Sequence, residues 1–405
     1  MHKTAPEILS ESLFRFDTTE HSKETWRKIT FGEAVRCVNE SETNPQEKGL
    51  ERVVGLEHID PEDLRIKRWA SIEESTSFTR VFRAGQVLFG KRRAYQRKVA
   101  LADFDGICSG DILVFEARPD VLLPELLPFL VQSEGFFQHA LDTSAGSLSP
   151  RTKWSDLAKY ELLLPPIDEQ LPIAELMWAV ENTIRAHYKV LAHLEDVRES
   201  LLREVSLMNH VQHKDLGELL IKAQYGTSVA PKNSGDYIIF RMNNIVRGYM
   251  DESDLKYVTL SKEEYEAFRL EKGDMLFNRT NSAELVGKVG IYQLDGNHVF
   301  ASYLVRLRAN REIILPDFLN YYMNSAPAQN AISNFATKGV SQSNINVPNL
   351  KRLKIPVPSL TDQARIVSRI KQIESGLIAC ELHITGCRRM KKHLFSTFTK
   401  VELHV

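Results

Sequence analysis

Apolar residues recur in alternating steps of four and three along two long stretches of this 405-residue chain. In the first stretch, only His187 and Arg198 interrupt the series Ile173, Met177, Val180, Ile184, Leu191, Leu194, Leu201, Val205 and Met208. In the second, only Lys391 interrupts the series Ile366, Ile370, Ile373, Leu377, Cys380, Ile384, Cys387, Leu394 and Phe398. Such a pattern is typical of a coiled-coil seam, whereas a helix lying on its own domain drifts towards a period of 3.6. Because both seams have the same length, we predict two long helices, at 166–212 and 359–405, that pair with each other.

Two segments of mixed pattern lie outside these helices, at 26–165 and 213–358. In the first, apolar runs predict strands at Gln86–Phe89 and Asp111–Phe115 and a helix near Pro124–Ala140. In the second, they predict a helix near Pro316–Phe335 and strands at Tyr237–Phe240, Asp274–Phe277 and Ser302–Leu307. Frequent turn residues between the runs favour an α+β domain over a helical bundle. Residues 1–25 would form an N-terminal extension.

The two mixed segments share short sequences in the same order. The run Pro165–Ala174 returns as Pro358–Val367, at an offset of 193 residues. Upstream matches pair Leu123-Pro124-Glu125 with Leu315-Pro316-Asp317, Gly85 with Gly273, and Phe31-Gly32-Glu33 with Leu216-Gly217-Glu218. Repeats of this kind indicate one structural unit used more than once. We therefore expect two copies of one domain, each followed by a long helix.

The overall composition narrows the class of protein. Net charge is −1, so any nucleic-acid binding would have to come from local basic patches. No run of eighteen apolar residues occurs, and the N-terminus has no apolar signal core, so neither a membrane span nor a secretory signal is expected. The four cysteines lack paired metal spacing and are expected to be buried thiols of a cytoplasmic protein: Cys37, Cys108, Cys380 and Cys387.

One strongly basic stretch covers residues 65–98. It carries ten Lys and Arg side chains against only Glu73 and Glu74. Such side chains neutralise DNA phosphates and make binding depend steeply on salt. We therefore predict DNA contacts at Lys91, Arg92, Arg93, Tyr95, Gln96, Arg97 and Lys98. The alternative is a solvated basic face without a ligand.

The second segment carries a polar counterpart, which predicts DNA contacts at Arg279, Thr280, Asn281 and Ser282. Arginine can bind guanine, and asparagine can bind adenine, through two hydrogen bonds each. Loops before the last strand of each segment add Ser147 and Arg151 in the first and Lys338, Gln342 and Asn344 in the second. Plain turns have the same composition, so both interpretations stay open.

Motifs of the common nucleotide-dependent enzymes are missing from the sequence. It contains neither the Gly-rich loop of dinucleotide-binding domains nor the phosphate loop of ATPases, and no methyltransferase motif. Cys380, His383 and Cys387 lie on the second helix, where three ligands would make an incomplete zinc site. We expect no catalytic or metal site. A stand-alone two-headed DNA-binding or scaffold protein, and a nuclease or methyltransferase with an unrecognised site, remain alternatives.

Four runs of residues resemble the specificity (S) subunit of type I restriction–modification systems. They are Pro165-Pro166-Ile167-Asp168-Glu169-Gln170, Lys338–Ile345 with Ile355–Pro358, Asn278–Ser282 with Val286–Gly290, and Leu88–Lys98. The second copy of the proline run departs from this pattern, with Ser359 for the second proline and Asp362 for the glutamate. A carboxylate still lies in the first turn of the helix, where it suits the helix dipole.

The resemblance implies an α+β fold with two target recognition domains held apart by a pair of long antiparallel coiled-coil helices. Each domain would read one half of a bipartite, asymmetric double-stranded DNA target. A helix of about 40 residues spans ~60 Å against ~34 Å per DNA turn, so the half-sites would lie one to two turns apart.

The resemblance also implies partners. These are DNA adenine methyltransferase (M) subunits, which carry S-adenosylmethionine, and restriction/translocase (R) subunits, which use ATP and Mg²⁺. The chain itself would be a non-catalytic recognition subunit that binds none of these cofactors.

Overall fold

A computed structural model describes residues 25–74, 77–207, 211–281, 286–338 and 343–399, with backbone alone for residues 74, 206, 281, 337, 338 and 395–399. The chain divides into two compact units, residues 1–188 with 381–405 and residues 189–380. Each unit therefore holds one of the mixed segments and part of both long helices. We call the folded parts of segments 26–165 and 213–358 the first and second domains.

The first domain is built from short strands and helices. Its strands are β1 (Arg27–Thr30), β2 (Val35–Val38), β3 (Arg52–Val54), β4 (Ala70–Ser71), β5 (Arg80–Phe82), β6 (Val87–Gly90), β7 (Val99–Leu101), β8 (Gly106–Cys108), β9 (Ile112–Ala117) and β10 (Glu161–Leu164). Its helices are α1 (Phe31–Ala34), α2 (Leu127–Val131), α3 (Glu134–Asp142) and α4 (Trp154–Leu157). The long helix α5 (Ile167–Leu207) follows.

The second domain has the same kind of elements. Its strands are β11 (Gln212–Asp215), β12 (Leu220–Tyr225), β13 (Tyr237–Phe240), β14 (Ile245–Val246), β15 (Tyr249–Met250), β16 (Tyr257–Val258), β17 (Met275–Asn278), β18 (Thr280–Asn281), β19 (Val289–Ile291), β20 (His298–Phe300), β21 (Leu304–Ala309), β22 (Thr337–Lys338), β23 (Ser343–Asn344) and β24 (Lys354–Val357). Its helices are α6 (Lys262–Phe268), α7 (Pro316–Met323), α8 (Ala326–Ser333) and α9 (Val347–Leu350), before the long helix α10 (Leu360–Thr399).

The strands of the first domain form two sheets and one separate strand pair. One sheet has the antiparallel order β2-β9-β6-β7, and the other has the order β4-β3-β8-β5, in which β3 and β8 are parallel. Strands β1 and β10 close the domain as a separate antiparallel pair. The predicted strands around Phe89 and Phe115 are confirmed as neighbours in one sheet, and their rings stack in the core 5.7 Å apart.

The second domain repeats this topology. Strands β21 and β17 are neighbours as β9 and β6 are, and β13 runs parallel to β20 as β3 does to β8. Strands β11 and β24 form the closing antiparallel pair. The duplication predicted from the short matching sequences is therefore a duplication of structure, and the α+β fold class is confirmed.

Each domain has two short helices where the sequence predicts one, near Pro124–Ala140 and near Pro316–Phe335. They are α2 and α3 in the first domain and α7 and α8 in the second. The first stretch breaks at Ser133, whose extended backbone and side-chain oxygen cap α3 by accepting the Phe136 N–H at 3.1 Å. The second breaks at Ser325, which also has an extended backbone. Serine favours such a break because its hydroxyl replaces a helical backbone partner.

The repeated proline turn ends in a buried glutamine clamp. Gln170 is fully buried, accepts the Leu123 N–H at 2.8 Å, and donates to the Val121 and Pro165 carbonyls at 2.9 and 3.0 Å. The proline turn leaves these backbone groups without sheet or helix partners, and a buried unpaired backbone group is costly. One amide thus joins the last strand, the loop before α2 and the long helix.

The second domain repeats the clamp. Gln363 is fully buried, accepts the Leu315 N–H at 2.7 Å, and donates to the Ile313 and Pro358 carbonyls at 3.0 and 2.9 Å. The repeated glutamine in the sequence therefore marks a structural junction.

The described residues of the predicted helix seams are buried or half-buried, whereas Met208 and the side chain of Phe398 lie outside the described part of the chain. The two helices run antiparallel in the first unit. There Glu181 pairs with Lys391 at 2.6 Å, and the His187 and His383 rings lie 5.1 Å apart, so residue numbers rise on one helix as they fall on the other. In the second unit, Gly376 faces Leu194, and a Cβ built on the glycine would lie 3.1 Å from the leucine Cδ1. None of the helices in the described ranges is long and apolar enough to cross a membrane.

Candidate nucleic-acid interface

Some of the residues predicted to bind DNA in the first domain meet at one loop. We call residues 146–150 the first-domain loop. Arg151, which follows it, forms antiparallel bridges with Ala145 on the other side of the loop and with Arg92 from the basic stretch. Ser147 is exposed in the loop. The fold thus brings Arg92 next to Arg151 and the loop that carries Ser147.

The second domain has the same three-segment arrangement as a small sheet, in the order β18-β23-β22. Asn344 pairs with Thr280 on one side and with Thr337 on the other. The backbones of Asn281 and Lys338 belong to this sheet, whereas Ser282 and Gln342 lie outside the described residues. Arg279, Thr280 and Asn344 are therefore brought together, and DNA contact by them stays a prediction.

Backbone hydrogen bonds show that the two arrangements are equivalent. The Lys91 N–H donates to the Asp111 carbonyl at 2.9 Å, and the Arg279 N–H donates to the Tyr303 carbonyl at 3.2 Å. Asp111 immediately precedes β9, and Tyr303 immediately precedes β21. The frame is thus shared, and a carboxylate in the first domain has a tyrosine as its counterpart in the second.

Asp111 organises the cations of the first domain. It accepts the Arg151 Nε–H at 2.8 Å and lies 3.4 Å from the Arg92 guanidinium, whose Nε donates to the Ser149 hydroxyl at 2.6 Å. The hydrogen bond from Arg151, more than that from Arg92, holds the pKa of Asp111 below its usual range. The aspartate stays ionised and fixes both arginines against the loop.

Positive charge nonetheless exceeds negative charge around this carboxylate. The pKa of the half-buried Lys91 is lowered first by burial and then by the nearby Arg80, with a further contribution from Arg151. In the described part of the chain, Asp111 is the only carboxylate that pairs with Arg92 or Arg151. The surface beside the first-domain loop is therefore cationic, as an anionic ligand requires.

Arg97 and Lys98 are held inside their own domain. Arg97 donates two hydrogen bonds of 3.0 Å to Glu134 and lies 4.6 Å from the Phe137 ring centre. These bonds, ahead of one from Lys392, lower the pKa of Glu134 to about 2. The Lys98 Nζ donates to the Leu56 carbonyl at 2.6 Å. DNA contact by these two side chains stays a prediction, and both already support the fold.

Carboxylates from elsewhere in the chain reach the basic stretch 65–98. Lys67 and Arg68 pair with acids from the preceding turn, and Arg83 pairs with Glu40 and Asp105. The charge counted along the sequence is therefore larger than the unpaired charge in space. Exposed pairs of this kind add little stability, but they reduce the field that a phosphate would meet.

The second domain presents an arginine stacked on a tyrosine. The Arg279 guanidinium lies 4.8 Å from the Tyr225 ring centre, and its Nη2 donates to the Asn344 side-chain oxygen at 3.3 Å. Stacking and one hydrogen bond fix the plane of the guanidinium, and this planar fork is the group that recognises guanine. No carboxylate pairs with Arg279 within the described ranges.

Sequence reasoning missed Asp111 and Tyr225. Asp111 was noticed only as the start of a strand, and Tyr225 ends β12, which meets the site through its pairing with β21. Local sequence carries no signal for either role, because both depend on strand pairing between distant segments.

No cluster of three potential metal-binding His, Cys, Asp or Glu side chains occurs among the residues that the structure describes. All four cysteines are free thiols, with Cys108 and Cys380 buried and Cys37 and Cys387 half-buried. Burial raises the pKa of Cys108 to about 12, so this thiol stays protonated and unreactive.

A model of one protein family matches most of the chain. The type I restriction modification DNA specificity domain matches twice, at residues 55–196 and 206–385. The two matches correspond to the two structural copies.

Two similar proteins are named as specificity subunits of type I restriction enzymes. The chain is 27% identical to the EcoKI specificity subunit of Escherichia coli over 64% of its own length and 61% of that protein. It is 32% identical to a putative MjaX specificity subunit of Methanocaldococcus jannaschii over 46% of its own length and 45% of that protein. The matched stretches thus span less than two thirds of these relatives.

Solved structures share the fold. A chain from a structure on complex assembly and conformational transition of the type I R-M system has a TM-score of 0.58 and 22% identity, covering 93% of this chain and 98% of the other. The type I S subunit of M. genitalium has a TM-score of 0.59 and 11% identity, with 94% and 98% covered.

Proposed function

The chain belongs to the type I restriction–modification DNA specificity family, and from this premise we propose that its two domains read the two halves of one asymmetric DNA target. The observation that carries the proposal is the duplicated frame with different side chains. Asp111 with its two arginines forms the first surface, and Arg279 stacked on Tyr225 forms the second. Because the two domains share a backbone frame but display different side chains, we expect them to bind two different half-sites.

In this proposal, the side chains divide into two roles. Lys91 and Arg151 contact phosphates and so position the first domain, since such contacts carry no sequence information. Arg279 reads a guanine through its guanidinium, which the Tyr225 ring already orients. Asn344 helps to orient Arg279 and completes the polar surface of the second domain.

The proposed assembly supplies all chemistry from other subunits. Methyltransferase subunits would carry S-adenosylmethionine, and restriction subunits would use ATP and Mg²⁺, in the cytoplasm. This chain would act as the non-catalytic subunit that selects the site. The long helices would hold the methyltransferase subunits, because their outer faces expose apolar side chains such as Ile378 and Leu382.

Methylome sequencing of the host with and without this chain tests the proposal. We expect a split, asymmetric methylated-adenine motif that disappears with the chain. Replacing residues 213–358 with the second domain of a relative should change one half of the motif and leave the other half intact. Methylation that persists without the chain, or a swap that alters both halves, would contradict the proposal.

Co-purification tests the assembly independently. The tagged chain should recover a methyltransferase in stoichiometric amount from its native host. Recovery of the chain alone, still bound to DNA, would favour a stand-alone DNA-binding protein. Methyl transfer or cleavage by the purified chain, without partners, would make it an enzyme.

A further inference from the structure

One leucine projects into solvent from the tip of the first-domain loop. Leu148 is 91% exposed, more than any other large apolar side chain that the structure describes. Tyr95 is 55% exposed and is the next in the first domain, ahead of Trp69 and Leu141 at 44% and 37%. A leucine so fully exposed gains nothing from the fold, so a ligand that covers it would supply its burial.

The loop that carries Leu148 is held at its base. Ala145 and Arg151 exchange two backbone hydrogen bonds of 3.0 Å, and the Ser149 hydroxyl accepts from Arg92. Gly146 has a φ of 114°, which only glycine adopts without strain, and this turns the chain outward. The leucine is therefore presented on a braced turn, which lowers the ordering cost of binding.

Tyr95 is braced in the same way. It lies in the single turn Ala94–Gln96, between Arg93 and Arg97, whose φ values of 54° and 53° are unusual for residues other than glycine. The Arg93 N–H donates to the Pro150 carbonyl at 2.8 Å, which joins this turn to the first-domain loop. Strained backbone of this kind is often retained where a side chain must be aimed.

The charge around the base of the loop indicates the kind of partner. Lys91, Arg92 and Arg151 surround the base of the loop, with Asp111 as their common carboxylate. The exposed leucine at the tip of the loop lies above more cations than carboxylates. This combination favours a polyanionic ligand that also has apolar groups inside a groove. Duplex DNA has this chemistry, because phosphates line a major groove into which thymine methyl groups project.

We propose that Leu148 is a specificity-determining residue of the first domain and packs against a thymine methyl group in its half-site. Tyr95 packs beside it on the same base step, while Arg92 and Arg151 hold the flanking phosphates. This inference rests on the proposed function. It adds that the first domain reads its half-site chiefly by apolar contact, whereas the second uses the guanidinium of Arg279.

The test uses the complex with methyltransferase subunits and a fluorescent duplex that carries the motif found by methylome sequencing. Deoxyuridine, which lacks the methyl group, replaces each thymidine in turn, and affinity is measured by anisotropy. We expect one thymine, in one half-site, whose replacement weakens binding about fourfold, since a buried methyl group contributes about that much. Leu148→Ala should weaken binding to the thymidine duplex by about tenfold and abolish the uridine effect.

Matched variants separate this role from simple loss of structure. Leu141→Ala removes the same side chain from α3 of the same domain and should leave both affinity and the uridine effect unchanged. Leu148→Ala should leave the salt dependence of binding unchanged, whereas Arg151→Ala should reduce its slope by about one counterion. Tyr95→Ala should weaken binding more than Tyr95→Phe, because the ring supplies the contact.

The outcomes distinguish this inference from the proposed function. Full affinity of Leu148→Ala, or a uridine effect that survives the substitution, would overturn the role of Leu148. A wild-type complex insensitive to uridine at every position would overturn it as well. A wild-type complex that does not prefer the motif duplex over a scrambled one would instead contradict the proposed function itself.

Discussion

The two domains share a backbone frame and differ in the chemistry displayed on it. In the first, Asp111 holds Arg92 and Arg151 beside a loop tipped by Leu148. In the second, Tyr303 is the counterpart of Asp111, and Arg279 stacks on Tyr225. The difference shows that this frame tolerates a charged and a neutral side chain at equivalent positions, such as Asp111 and Tyr303, because main-chain hydrogen bonds hold it.

A second pair of equivalent positions, below this surface, also carries different side chains in the two domains. Asp274 accepts two hydrogen bonds from Arg308, whereas its counterpart Gln86 donates to Glu116. An acid–base pair in one domain thus matches an amide–acid pair in the other. The glutamine clamps, by contrast, are the same in both copies. Gln86 and Asp274 nevertheless accept equivalent backbone N–H groups, from Arg83 and Glu271, so the backbone contacts are kept in both domains while the side-chain partners differ.

Removing the buried carboxylate Asp274 from the second domain should have the largest effect on stability. Comparison with the loss of Gln86 tests the difference between the two domains. Asp274 is 1% exposed and compensates Arg308, with Arg306 3.8 Å away. Asp274→Ala leaves the buried Arg306 without a carboxylate partner in the described ranges and leaves Arg308 with only the exposed Glu271, and it should cost about 3–5 kcal/mol of unfolding free energy. Gln86→Ala should cost about 1–2 kcal/mol. Urea denaturation measures both, and equal losses would contradict the difference between the cores.

Removing the shared clamp should affect both domains alike. Gln170→Leu and Gln363→Leu each leave one N–H and two carbonyl groups buried without partners, at a cost of about 2–3 kcal/mol. The surface variant Gln138→Leu serves as the control, since its amide bonds only Asp142 in the next helical turn. Clearly different losses for the two clamps in urea denaturation would mean that the junctions are not equivalent.

Truncating one arginine in each domain should affect DNA binding unequally. Arg279→Ala should weaken binding to the cognate duplex by about 10- to 100-fold, because a guanine contact contributes about 1–3 kcal/mol. Arg92→Ala should weaken it less than tenfold, because Ser149 and Asp111 already engage its guanidinium. Anisotropy with the methyltransferase complex measures both. A larger loss for Arg92→Ala would reverse the assignment of roles.

Lowering the pH should reduce the stability of the first domain through an ion pair that the second domain lacks. Arg97 and then Lys392 lower the pKa of Glu134 to about 2, whereas the position equivalent to Glu134 in the second domain is Ala326. A lowered pKa in the folded state means that the stabilisation is present above about pH 4.5 and is lost as pH falls towards 2.

Glu134→Gln should therefore flatten the dependence of stability on pH between about 4.5 and 2. The change should be below about 1 kcal/mol, because Glu134 is half-exposed and solvent screens the pair. Denaturation at a series of pH values measures the slope. An unchanged slope would mean that this ion pair does not contribute to stability.

Much of the fold could be predicted from local pattern. The seam of α5 is visible in its spacing, and Ile173, Met177 and Ile184 are buried as predicted. Proline and glutamine mark the junction. Proline ends the strand, and the glutamine side chain forms hydrogen bonds with the backbone groups that the turn leaves without partners. The break at Ser133 was harder to predict, because the apolar residues on either side continue the helical pattern.

The candidate site could be predicted only in outline. The family resemblance and the run Arg279–Ser282 predict a DNA contact at Arg279, and the structure joins this side chain to Asn344 by a hydrogen bond. Its stacking partner Tyr225 was not found, nor were the acids that pair with Arg83 and Arg97. Each of those contacts joins residues far apart in sequence.

The sequence by itself determined the repeat, the helix seams and the proline junctions, because these features depend on spacing within a few turns of chain. Tertiary structure alone decided which cations remain available and which surface each domain displays. Leu148 reads in the sequence as an ordinary apolar residue, and only the hydrogen bonds of Arg92 and Arg151 around it show why it is exposed. The net charge of a surface and the exposure of a side chain depend on which residues lie nearby in space, and the pairing of distant strands determines which residues those are.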